Sequence, residues 1–199
     1  VHGEEISVVV NAIGTSPNTP LEEQTLEEWR RVYEVNVVGC FASTRAIAMR
    51  MRDRGVRGSI VLITSTNGIN SHSSISVHYD ASKAAQANMM KNLAEYYAPA
   101  GIRINAVAPG WIDTAMNSTL PPEEREKEIK KIWSSRFADP SEVALFIAYV
   151  AGTLEANGMD VQIIDAVGEN PDQLTPLDIP DCYSIGLTKE QIVPLVRED

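Results

Sequence analysis

Tyr79 and Lys83 stand four residues apart in the run YDASK. On a helix, positions i and i+4 share a face, so the phenol and the ammonium point into the same space. An unperturbed tyrosine loses its proton near pH 10 (about). A lysine cation beside it favours the phenolate and is expected to bring that value down, making tyrosine usable as an acid or base near neutral pH. Such a pair is common by chance, and its ordinary alternative is a solvated helix face. Three further segments give it company: Asn11 to Gly14 (NAIG), Ser65 in VLITSTNG, and Pro109 to Met116 (PGWIDTAM).

The elements that must position these residues alternate between strand and helix. Residues 6–11 (ISVVVN), 59–64 (SIVLIT) and 102–107 (IRINAV) read as strands, and 159–165 (MDVQIID) as a last one. Thr25 with Glu28 three residues on forms a capping-box pattern, starting helical sequence that runs to about Met51, as two helices. Gly55 and Gly58 break it. A long helix over about 76–98 carries the Tyr/Lys pair and stops at Pro99 and Gly101. A charged helix follows from Pro122 to about Trp133, and Ser141 is expected to cap another through Ala151. Mostly continuous apolar strands between helices predict a doubly wound parallel α/β sheet built from βαβ units. In such sheets ligands bind beyond the carboxyl ends of the strands. The NAIG run, Ser65, the Tyr/Lys pair and the PGWIDTAM run all fall there.

Composition excludes several classes. Of 199 residues 44% are apolar, which suits a globular chain, and the net charge of −10 disfavours nucleic acid or an anionic membrane as a partner. No apolar stretch reaches the roughly 20 residues of a membrane span. The start VHGEEIS does not read as a signal peptide. Cys40 and Cys182 are the two cysteines, outside any CxxC or His/Cys cluster. A reducing, cytoplasmic setting and no metal site are therefore expected.

The order and spacing of ISVVVNAIG, EEWRRVYEVNVVG, GSIVLITSTNG, YDASKAA, GIRINAVAPGWIDTAM and DPSEVA resemble the short-chain dehydrogenase/reductase family in its compact single-domain form. The resemblance implies a Rossmann-like fold, NAD or NADP as hydride carrier, and a small-molecule carbonyl/alcohol substrate pair. It implies a catalytic set of Asn36, Ser65, Tyr79 and Lys83. Tyr79 would pass the proton to or from the substrate oxygen. Lys83 would lower the tyrosine pKa and bind the nicotinamide ribose. Ser65 would hold the substrate oxygen, and Asn36 would anchor a water linking Lys83 to solvent. Taken singly, Ser65 also reads as a strand-end cap and Asn36 as a helix residue bonding the backbone.

The implied cofactor-binding residues are Asn11, Gly14, Tyr79, Lys83, Pro109, Gly110, Ile112 and Thr114. Ala12 and Ile13 depart from the family's Asn-Asn-Ala-Gly element. Residues 115–137 match its mobile substrate loop, here with a solvated face (PPEEREKEIKK). His72 and His78 lie between Ser65 and Tyr79, and a loop histidine without a specific role is the simpler expectation for each. Trp111 either lines the site or packs.

The family's glycine-rich TGxxxGxG turn and first strands find no match, so residues 1–168 are expected to be the C-terminal two-thirds of the domain and 169–199 an extension. An unrecorded preceding segment is the favoured explanation. The strand at 6–11 would otherwise be an exposed apolar edge prone to aggregation. The family's usual Asp-Gly-Gly after the last strand is replaced by IIDAVGEN, and Thr188 is expected to cap a short helix. The reading is an NAD(P)-dependent oxidoreductase, forming a homo-oligomeric dimer or tetramer through the helices around 34–52 and 76–98. Ala81, Ala84, Ala85 and Ala87 would allow close approach there, or pack on the sheet. The alternatives are a non-catalytic binding or regulatory subunit and, less favoured, an epimerase or dehydratase. Substrate, cofactor choice and reaction direction are not legible.

Overall fold

The structure, a computed structural model, describes residues 6–70, 75–118, 120–155, 175–176 and 183–184. Three β-branched runs form its sheet: β1 (Val8–Asn11), β2 (Gly58–Ile63) and β3 (Ile102–Val107). They lie parallel in the order β1-β2-β3, with Val9 beside Ile60 and Ile60 beside Ile104. That row sits at the centre of the core, where Ile60, Leu62 and Ile102 are wholly buried. A parallel neighbour requires a crossover. The first comprises α1 (Leu26–Tyr33), a π-helical stretch Glu34–Gly39 and α2 (Cys40–Asp53), and the second is α3 (Val77–Tyr97). The α/β architecture is the one expected.

Two details of the sheet differ from expectation. β3 alternates, with Ile102 and Ile104 buried and Arg103 and Asn105 exposed, because its sequence places polar residues at every second position. In β1, Val8, Val9 and Val10 are at most 5% exposed. Its open edge is therefore one of main chain: among the described residues β1 pairs with β2 alone.

Helix ends follow local chemistry. Gly101, at φ 76°, ends the α3 region in the left-handed conformation that glycine takes without strain. α4 spans Pro122–Lys131 and α5 Pro140–Glu155. The α5 cap is Asp139 rather than Ser141. Its Oδ1 accepts from Ser141 N at 2.8 Å, and Glu142 Oε2 accepts from Asp139 N at 2.7 Å. This reciprocal box leaves Pro140 at the first helical position, where its missing N–H costs nothing. Two-residue strands β4 (Thr175–Pro176) and β5 (Tyr183–Ser184) pair antiparallel. The expected strand at 159–165 and the helix after Thr188 lie outside the described residues. Among those described, no helix is long and apolar enough to cross a membrane, and no group of acidic, His or Cys residues is placed to hold a metal.

Candidate active site

Ser65 ends the loop leaving β2 and does two jobs. Its Oγ accepts from Asn67 N at 3.1 Å, capping the short 3-10 turn Thr66–Gly68, and it hydrogen-bonds the Tyr79 phenol. Capping the turn does not keep Ser65 from the cavity that Tyr79 lines. Gly68 lets this turn lie flat on α3, since a Cβ there would sit 2.7 Å from the main-chain carbon of Lys83. Tyr79, Ser65, Asn67, Gly110, Trp111 and Met116 line a cavity of about 50 Å³. A larger one of about 360 Å³ lies on the other side of Trp111, reaching Lys131 and Arg136 but not Tyr79. Of these two cavities, the small one is lined by the phenol.

Lys83 lies along the same helix face, with Nζ 5.6 Å from the centre of the Tyr79 ring. It is 3% exposed, and its Nζ donates to the Ile63 carbonyl and to Gln86 Oε1, each at 3.0 Å. Burial dominates the electrostatics. It pushes Tyr79 up to about 12, against the downward pull of the Ser65 hydrogen bond and with a smaller upward push from Asp80. It brings Lys83 down to about 8, with Cys40 acting weakly the other way. The net shift of the tyrosine is thus upward, opposite to the one expected, because desolvation of the phenolate dominates.

Asn36 is wholly buried in the π-helical stretch, a feature that recurs at functional sites. Its Oδ1 accepts from Thr15 N at 2.7 Å, and its Nδ2 donates to Thr15 O at 3.0 Å and Ser82 Oγ at 2.8 Å. The side chain therefore pins the loop after β1 to α3 and does not itself touch Lys83. The link from Lys83 to Asn36 is made by Gln86, whose Nε2 donates to the Asn36 main-chain carbonyl.

His78 is not a loop histidine. It is wholly buried in the first turn of α3, where Nδ1 accepts from Tyr79 N at 2.8 Å. That bond leaves Nε2 to carry the proton, which it donates to Glu28 Oε1 at 2.8 Å. Glu28 also accepts from Thr19 Oγ1 at 2.9 Å, so it completes only half of the expected capping box: its N–H donates to Thr25 Oγ1 while its carboxylate ties α1 to α3. His72 lies outside the described residues. His78, Ser82, Gln86 and the Asn67–Asp80 hydrogen bond (2.8 Å) carried no local sequence signal, because Glu28 and Asn36 lie 50 and 46 residues from His78 and Ser82.

The expected cofactor residues fit a nucleotide unevenly. Gly14 lies against the ammonium, and a Cβ there would come within 3.1 Å of Lys83 Nζ. Gly110 borders both cavities, and the Thr114 hydroxyl is not spent in capping the turn it precedes. By contrast, the Asn11 amide points into the fold and donates to Cys40 O, Ser43 Oγ and Thr44 Oγ1. The Ile112 carbonyl accepts from Asn117 Nδ2 at 2.7 Å, and the Pro109 carbonyl from Thr66 N at 2.9 Å. Tyr79 and Gly110 border the small cavity, Lys83 is buried beneath it, and the side chain of Asn11 and the carbonyls of Pro109 and Ile112 are spent on the frame. Trp111 both lines and packs: it stacks on Phe137 at 5.1 Å and donates from Nε1 to Glu128 Oε2 at 3.2 Å.

Known proteins resemble this chain in sequence and in fold. The family model described as enoyl-(acyl carrier protein) reductase matches residues 2–166. Glucose 1-dehydrogenase 2 of Bacillus subtilis is 36% identical over 151 residues, covering 75% of this chain and 58% of that protein. The 3-oxoacyl-[acyl-carrier-protein] reductase FabG of Thermotoga maritima is 36% identical over 163 residues, covering 82% and 65%. The crystal structure of a 3-oxoacyl-[acyl-carrier protein] reductase with bound NAD from Brucella melitensis superposes with a TM-score of 0.63 at 35% identity, over 74% of this chain and 55% of that one. The chain thus spans less than two thirds of the length of each.

Proposed function

The chain belongs to the short-chain dehydrogenase/reductase family, and on that premise we propose that it is part of an NAD(P)-dependent oxidoreductase that interconverts a carbonyl and a secondary alcohol. The observation that carries this reading is the Tyr79 phenol, hydrogen-bonded to Ser65 with the Lys83 ammonium over its ring, at the mouth of a cavity beyond β2 and β3. A carbonyl oxygen held by the Ser65 hydroxyl is within reach of the phenol, which supplies the proton in reduction and removes it in oxidation. The nucleotide, when bound, supplies the hydride. Gly14, Gly110, Ile112 and Thr114 would bracket it, with Lys83 on the ribose.

Lys83 serves the proton transfer as a fixed positive charge. The Ile63 carbonyl orients it, and the Asn36–Thr15–Ser82 hydrogen bonds hold the surrounding loop. The narrow cavity at Tyr79 and the wider one that shares Trp111 and Gly110 with it suit a small carbonyl carried on a longer body. The named relatives act on glucose and on oxoacyl carriers, so both classes serve as probes. Homo-oligomerisation through the two crossover helices belongs to the same reading, supported by Val38, Phe41 and Tyr96, which are 47%, 41% and 67% exposed.

The test is turnover of acetoacetyl-CoA with NADPH and NADH, and of glucose with NAD⁺ and NADP⁺, by the full polypeptide and its Tyr79→Phe variant. Turnover that disappears in the variant supports the reading. Unchanged turnover in the variant removes Tyr79 from the acid/base role. Absence of NAD(P)H fluorescence enhancement on mixing would instead favour the non-catalytic binding subunit.

A further inference from the structure

Gln86 is 1% exposed, and both ends of its carboxamide are engaged. Oε1 accepts from Lys83 Nζ at 3.0 Å. Nε2 donates to the Asn36 main-chain carbonyl and makes a long contact of 3.5 Å with the Ile13 carbonyl. Chemistry decides which way the amide faces. Main-chain carbonyls only accept, so the nitrogen must face Asn36 and Ile13 and the oxygen must face Lys83. An amide oxygen accepts but never donates. It stabilises an ammonium and offers nothing to a neutral amine's lone pair.

Resting on the reading above, we propose that Gln86 is a positioning residue for the Tyr79–Lys83 pair, clamping Lys83 to the Asn36 main chain and holding it in the charged form. Lys83 sits where burial drives it towards neutrality, so a charged state needs a dedicated acceptor. The groups packed against it supply little else. Tyr79 on its own helix carries a phenol that burial keeps protonated, and Asp80 acts on that phenol. Cys40 from α2 is a thiol whose pKa burial raises. β2 offers only the Ile63 carbonyl, and the loop after β1 offers Gly14, with no side chain. Two acceptors, Ile63 O and Gln86 Oε1, thus fix two of the three ammonium N–H directions. Gln86 ties one of them to the stretch that carries Asn36.

The test reads Lys83 directly and needs no substrate. In the full polypeptide, the lysine ¹³Cε resonances are titrated with pH, and the Lys83 signal is identified by its loss in Lys83→Met. Gln86→Met keeps the side-chain length and removes the acceptor, and its Lys83 midpoint is expected to fall by about one pH unit. Gln86→Glu places an anion on the ammonium, and the midpoint is expected to rise. Opposite shifts from one position are not the signature of a merely structural residue. If Gln86→Met fails to fold, the sign of the Gln86→Glu shift decides alone. Midpoints that stay together in wild type and the folded variants overturn the proposal. Because no turnover is involved, that outcome is separate from active Tyr79→Phe, which would overturn the enzymatic reading instead.

Discussion

Around Tyr79 and Lys83, Asn36, Ser82, Gln86 and Lys83 are 0–3% exposed, and among the described residues Lys83 has no carboxylate partner. Along α4, Lys127, Lys130 and Lys131 face solvent, and each pairs with a glutamate at 2.6–2.7 Å. The same side chain therefore meets opposite fates. Burial takes Lys83 down to about 8, while Glu124 holds Lys127 above the usual lysine range. Buried, lysine is held by two neutral oxygens. Exposed, it is a screened surface charge of small energetic weight. The buried region gains geometry from bonds shielded from water, while the ion pairs of α4 stay open to solvent.

The largest expected effect strikes the buried side. Tyr79→Phe should lower turnover by roughly 10²–10⁴-fold while circular dichroism stays that of the wild type, because only the proton-transferring oxygen is lost. Gly68→Ala follows. Its Cβ meets the main chain at Lys83 at 2.7 Å, so turn or helix must shift, at about 1–3 kcal/mol in urea unfolding. A wild-type midpoint in Gly68→Ala would show that this packing yields more easily than its backbone contact implies.

A pH series separates the two regions next. The folded pKa of Lys83, about 8, lies below its ordinary value of 10.5, so above pH 8 the unfolded chain binds more protons. Stability should rise from pH 8 to 9, by about 1 kcal/mol, and Lys83→Met should flatten that slope. Above pH 9 Cys40 and then Tyr79, both raised by burial, work in the opposite direction. Turnover that depends on the ammonium should fall over the window in which stability grows. The smallest effect belongs to the surface: Glu142→Gln breaks the Arg136 pair (2.7 Å) that holds Glu142 down at about 2. Its shift in thermal midpoint should be smaller than any of these and shrink further in 1 M salt (about 3 Å Debye length).

Much of the fold could be read from local pattern. Ile102–Val107 is bounded as expected, and β1, β2 and α3 fall within two residues of their expected limits. Apolar runs, Pro99-Gly101 and Pro109-Gly110 are local signals of local events. The candidate site was legible in its types and spacing, since Tyr79 and Lys83 share a face by helical geometry alone. The continuous helical run through Glu34–Gly39 was read as two helices, because a π-helical stretch has no composition of its own. Glu28 was read as a capping residue, although its carboxylate finds His78 fifty positions away.

By itself, the sequence determined the family, the parallel sheet of βαβ units, and which side chains have the chemistry for proton transfer. Those follow from periodicity, turn residues and motif spacing, all of which act over a few residues. Only the tertiary structure decided how that chemistry is tuned. Burial reverses the expected tyrosine shift, Gln86 stands between Lys83 and Asn36, and Asn11 turns inward to Ser43 and Thr44. Desolvation and long-range hydrogen bonds depend on what the rest of the chain brings near, and no local run of residues carries that information.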